Sequence, residues 1–140
     1  MAQHVSDVMT SAPATVGPQT SVTAVARTMR DEDIGAVLVT EGERLRGLVS
    51  DRDLVVRALA GGGDPNRTTV AEACSDDLVT VRPDDDLALA VQVMREHSVR
   101  RVPVVDDSRH VVGIVSLGDL AIERDPESAL GDISAAKPNK

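Results

Sequence analysis

Apolar residues recur along this chain with two alternating periods. Val22, Val25, Ala26 and Met29 fall at i, i+3, i+4 and i+7, the stripe of a helix with one buried face. Thr20 or Ser21 stands where a helix cap is wanted. A short run, Ala36-Val37-Leu38-Val39, then reads as a buried strand, Glu41-Gly42-Glu43 as a turn, and Leu45–Val49 as the second strand of a hairpin. Ser50 opens another helix that runs to about Leu59, with Leu54, Val55, Ala58 and Leu59 apolar. Ahead of these, residues 1–10 read as a short helix, and Thr15-Val16 as a short strand ended by Pro18.

The same order then returns. Thr15-Val16-Gly17-Pro18 reappears as Thr80-Val81-Arg82-Pro83, and the helical stripe as Leu87, Ala90, Val91 and Met94. Gly47-Leu48-Val49-Ser50 with Asp53 reappears as Gly113-Ile114-Val115-Ser116 with Asp119. The offset is 65 residues, becoming 66 after one extra residue near His110. The second copy is expected to hold a helix at Thr69–Cys74, a strand at Leu78–Val81, a helix from about Asp85 to His97, a hairpin of Val102–Val105 with Val111–Val115, and a last helix from Ser116. Pro103 inside that hairpin suits an edge strand or a strand start. Two copies make a pseudo-symmetric pair, so sites should also come in twos.

Gly61-Gly62-Gly63-Asp64-Pro65-Asn66 is the clearest break. The expected division is copy 1 over residues 5–60, a linker over 61–69, copy 2 over 70–124, and a flexible polar tail over 125–140. Each copy is too small for a secure core of its own, so the two are expected to share one. Each reads strand–helix–strand–strand–helix, an α+β arrangement.

Composition narrows the function. With no Phe, Tyr or Trp, the core is aliphatic and the chain offers no ring on which a nucleobase can stack. A net charge of −8 disfavours nucleic acid and anionic membranes as partners. No apolar run is long enough to span a bilayer, and no secretory leader is visible. One cysteine, Cys74, excludes an internal disulfide and points to a reducing cytoplasm. Cys74 shares the register of Met9 and reads as a small packing residue. His4, His97 and His110 lack metal-ligand spacing, and Asp84-Asp85-Asp86 reads as a charged helix start, so no metal is expected. No P-loop, nucleophile elbow or dinucleotide fingerprint is present, so no enzymatic activity is expected.

Taken in order, the opening Val5-x-Asp7-Val8-Met9-Thr10, the Thr-Val-x-Pro elements, Ile34–Val39 with its counterpart Val99–Val104, and the two closing Gly-x-x-Ser-x-x-Asp segments resemble the CBS domain, a module that occurs in tandem pairs. The likeness covers about residues 5–122. It implies a pseudo-two-fold disk that pairs into a homodimer. It also implies clefts between the copies that take AMP, ADP, ATP, S-adenosylmethionine or related adenosine compounds as regulatory ligands, with no required cofactor. Such pairs regulate an attached enzyme or channel. With none attached here, this one is expected to signal in trans to an unknown protein partner, with a stress or energy-status role.

By that resemblance Asp53 and Asp119 hydrogen-bond ribose hydroxyls, and Ser50 and Ser116 lie near the ribose or phosphate. A carboxylate can accept two bonds from a cis-diol, and a helix start offers N–H groups to a phosphate. Ser-x-x-Asp ahead of an apolar run is also a helix-capping pattern needing no ligand. Arg100 and Arg101, the adjacent arginines, suit phosphate; Gly35 and Ala36 hold their places in copy 1, and Arg52 has Gly118 as its counterpart in copy 2, so the two sites are not equivalent. Thr15 and Thr80 border the sites, and Val37 and Val102 are candidate walls for an adenine, though strand and core packing accounts for all four as well. The rival reading is a ligand-free dimeric scaffold for protein interaction.

Overall fold

The computed structural model describes residues 3–75 and 78–136. The elements are α1 (Val5–Val8), β1 (Thr10–Ser11), β2 (Thr15–Val16), α2 (Val22–Glu32), β3 (Ala36–Glu41), β4 (Arg44–Ser50), α3 (Asp51–Asp53, continued by π-helical turns over Leu54–Leu59), α4 (Val70–Ala73), α5 (Leu87–His97), β5 (Arg101–Val105), β6 (Val111–Ser116), α6 (Leu117–Arg124) and α7 (Ala129–Ser134). This is the α+β class expected from the sequence.

The chain divides into two compact units, and their limits cut across the sequence copies. One comprises residues 13–78, the other residues 1–12 with 79–140. In the first, β2 runs parallel to β3, and β3 pairs antiparallel with β4. Val22, Val25 and Met29 of α2, Val37, Val39 and Val49 of the sheet, and Val70 and Ala73 of α4 form its core. In the second, β6 lies between β1 and β5, antiparallel to both. Its core joins Val5 of α1 to Leu87, Ala90 and Met94 of α5 and to Val102, Val104 and Val115.

Each copy's hairpin core is therefore closed by the short helix that opens the other copy in sequence. The bonds that hold it repeat. The Val70 and Ala71 N–H groups donate to Thr20 O (2.7 Å) and Pro18 O (3.2 Å). The Val5 and Ser6 N–H groups donate to Asp85 O and Pro83 O, both at 2.9 Å. The glycine-rich connection does not leave its unit, since Thr23 N–H donates to Pro65 O at 3.1 Å.

The two long helices fall where the periodicity put them. Ser21 caps α2 by accepting from Ala24 N–H, and Asp33 and Ser98 end α2 and α5 in the same left-handed conformation at φ 54°. Residues 54–59, read as plain α-helix, widen into π turns, with Ala60 N–H donating to Val55 O. Expected strand 78–81 shrinks to one bridge, Val81 to Val104. Pro103 supplies the reason. In the first unit Leu38 N–H donates to Ala14 O at 3.0 Å; Pro103, the counterpart of Leu38, has no N–H to give. Pro103 does lie on the sheet's edge strand, β5.

The tail was expected to be a flexible polar segment, but it contains α7. Ser128 caps this helix by accepting from Gly131 N–H, and buried Gly131 lies so close to Asp125 O and Ala121 O that a Cβ would collide. Residues 137–140, and Met1 and Ala2 of the expected first helix, lie outside the described residues.

Candidate functional site

The same construction closes both hairpins. The last residue of the second strand, Ser50 or Ser116, is extended (ψ 165° and 163°) and caps the helix that follows. In the first unit Asp53 N–H donates to Ser50 Oγ (3.1 Å), and Ser50 N–H donates to Asp53 Oδ2 (2.8 Å). In the second, Asp119 N–H donates to Ser116 Oγ (3.2 Å), and Ser116 N–H donates to Asp119 Oδ2 (2.8 Å). These are full capping boxes, and each uses one carboxylate oxygen. Both aspartates are half-buried, so each carboxylate sits on a side chain already fixed in place.

The surroundings of the two boxes differ. In the second unit Arg101 lies directly opposite Ser116 in the β5–β6 ladder, and Leu117 N–H donates to Arg100 O at 2.8 Å. Arg100 and Arg101 are thus brought to the start of α6, beside Ser116 and Asp119. Neither guanidinium pairs with a carboxylate among the described residues. In the first unit Ala36 opposes Ser50, and Asp51 N–H donates to Gly35 O at 3.0 Å, so the backbone is the same without the cations. There Arg57 approaches Asp53 Oδ1 (3.6 Å) and donates to Cys74 O (3.5 Å).

The structure corrects the proposed apolar walls. Val37 and Val102 are 1% and 0% exposed and belong to the two helix-backed cores. Successive residues of a strand point to opposite faces. Val37 and Val102, which follow Ala36 and Arg101 within their strands, therefore face away from the serines that pair with those two residues. Leu48 and Ile114, two residues before Ser50 and Ser116, share the serines' face and are half-buried. The period-two alternation was the signal for them. Thr15 is exposed in β2 and pairs with Leu38; Thr80 is half-buried next to the Val81 bridge. Neither is brought against a capping box by a recorded bond.

Charge elsewhere is ordinary surface pairing. The Asp7 carboxylate is held below its usual range by accepting the His4 and Gln3 backbone N–H groups. Asp85 accepts from Arg82 N–H at 2.8 Å, which spends one member of the aspartate run on the backbone. No group of three or more His, Cys, Asp or Glu among the described residues is arranged to hold a metal. None of the described helices is long and apolar enough to cross a membrane.

The CBS domain model matches residues 5–59 and again 70–124. This chain belongs to the CBS domain family. CBS domain-containing protein YhcV of Bacillus subtilis is 39% identical over 127 residues, covering 91% of this chain and 89% of that one. Hypoxic response protein 1 of Mycobacterium tuberculosis is 40% identical over 116 residues, covering 82% and 80%. The crystal structure of hypoxic response protein 1, with two coordinated zinc ions, superposes with a TM-score of 0.78 at 38% identity over 84% of this chain and 96% of that one. The CBS domain protein PAE2072 of Pyrobaculum aerophilum, complexed with AMP, gives 0.78 at 27% identity, covering 86% and 92%. The CBS pair of MJ0100, with 5′-methylthioadenosine and S-adenosyl-L-methionine, gives 0.79 at 25%, covering 89% and 98%. CBS pairs are regulatory modules, and homologous pairs bind adenosine compounds.

Proposed function

We propose that this chain is a regulatory module that binds an adenosine-containing small molecule beside its two Ser-x-x-Asp helix starts. The observation that carries the reading is the pair of matching capping boxes. Each fixes one aspartate beside a helix start: the second oxygen of Asp119 is left to accept from a ribose cis-diol, and that of Asp53, 3.6 Å from Arg57 Nε, would share itself between the guanidinium and the diol. Leu48 and Ile114 lie on the serines' face and supply apolar surface for a purine in a chain without aromatic residues. The ligands of PAE2072 and MJ0100 support the adenosine class. The module acts by binding, without catalysis, as a homodimer in a reducing cytoplasm, and passes its ligand state in trans to a protein partner. The likeness to hypoxic response protein 1 supports a role in a stress response.

The absent aromatic residues make the test simple. The chain has no Trp or Tyr, so the protein itself absorbs almost nothing at 280 nm. A 260 nm band in gently purified protein, released on denaturation and identified by mass spectrometry as an adenosine compound, supports the reading and names the ligand. A flat spectrum, followed by calorimetry in which AMP, ATP and S-adenosylmethionine all fail to bind, refutes it and favours the ligand-free scaffold.

A further inference from the structure

The two capping boxes share one backbone geometry and differ in the charge around it. Beside Ser116 and Asp119 stand Arg100 and Arg101, the latter directly opposite Ser116 in the ladder. Beside Ser50 and Asp53 the same two positions are Gly35 and Ala36. The first helical residue differs as well. In the first unit it is Asp51, whose Oδ1 accepts the Arg52 N–H at 2.8 Å, so the helix start already holds a carboxylate of its own. In the second unit that residue is Leu117, so Asp119 is the one carboxylate of that helix's first turn. The first unit's nearby cations lie on the helix, and Arg57 is spent on Asp53 and the Cys74 carbonyl. The second unit has Glu123 at the place of Arg57, on the helix, whereas its two arginines come from the strand side.

We infer that the two sites sort adenosine ligands by charge. The Ser116–Asp119 site takes an adenosine bearing a 5′ phosphate, held by Arg100 and Arg101. The Ser50–Asp53 site takes an adenosine with no anion on the 5′ carbon. Guanidinium–phosphate contacts are charge-assisted and strong. Asp51, in contrast, repels a phosphate from the equivalent helix start. This inference rests on the adenosine reading above and specifies which form each site accepts.

The test is calorimetry with AMP and with 5′-methylthioadenosine on the full chain and on the Arg100→Gln/Arg101→Gln double variant. Both arginines sit outside the core clusters, so the variant should keep the wild-type urea midpoint. The expected result is a loss of AMP affinity of about tenfold or more, with 5′-methylthioadenosine affinity changed by less than about twofold. An unchanged AMP affinity, or equal loss of both ligands, overturns the sorting and leaves the adenosine reading standing. Failure of wild-type protein to bind either ligand overturns the adenosine reading and the sorting with it. Should the double variant unfold, wild-type protein gives the same answer through salt. AMP affinity must fall with ionic strength while that of 5′-methylthioadenosine holds, and a salt-independent AMP affinity overturns the inference.

Discussion

Ser116 and Asp119 each satisfy the other's backbone N–H, at 3.2 Å and 2.8 Å. One pair of side chains thereby starts α6 and fixes a carboxylate oxygen in position for a ligand. Structural and binding roles coincide, so a variant must be read by both.

Asp119→Ala removes half of the capping box. It should lower stability by about 1 kcal/mol in urea denaturation. By calorimetry it should weaken adenosine-ligand binding by more than about tenfold, a larger effect than the cap alone explains. Wild-type affinity in the variant would remove Asp119 from the site.

Val5 is fully buried against the core built on α5, β5 and β6, not against the hairpin that follows it in sequence. Val5→Ala should cost about 2 kcal/mol. Hydrogen exchange should quicken first at Val102, Val104 and Val115, while Val37 and Val49 keep their protection. The reverse pattern would contradict the exchange of leading helices.

Pro103 deprives the second unit of a bond that Leu38 makes in the first. Pro103→Leu should slow amide exchange at residues 79–81 and introduce a protected amide at position 103 itself. Nuclear magnetic resonance would show it. An unprotected amide at 103 would mean that the shortened strand has another cause.

Gly131 fits against the Asp125 and Ala121 carbonyls with no room for a methyl group. Gly131→Ala should undock α7 and raise exchange over residues 129–134, with the urea midpoint of the rest of the chain nearly unchanged. A protected α7 in the variant would show that the contact is dispensable.

Asp7 has a lowered pKa because its carboxylate accepts the His4 and Gln3 amides at the start of α1. The stabilisation is therefore present above the unfolded value of 3.8 and is lost as pH falls through the lower folded value. The stability difference between wild type and Asp7→Asn should be constant near neutrality and shrink below about pH 4. A difference that does not change with pH would mean that the ionised form gains nothing in the fold.

Local signals were enough for much of this. The spacing of Val22, Val25 and Met29 located α2, Leu87, Ala90 and Met94 located α5, and the Ser-x-x-Asp segments located both helix caps. Each of these depends on contacts within a turn or two of the chain, which sequence spacing encodes directly. The repeat, read from residue order alone, placed the chain in its family.

Tertiary structure decided the rest, because it depended on which segments pack together. Val37 and Val102 read equally well as core or as site wall until the sheet's buried face was known; the helices lie on their side, and so Leu48 and Ile114 hold the other. The exchange of α1 and α4 between copies leaves no trace in spacing, since either helix carries the apolar residue that either core needs. Gly131 makes sense only against the Asp125 carbonyl. The sequence by itself determined the elements, their caps and the twofold repetition, because those rest on local periodicity and backbone hydrogen bonding. The partners of each buried face were decided only in three dimensions, where aliphatic side chains of similar size are distinguished by the space left for them.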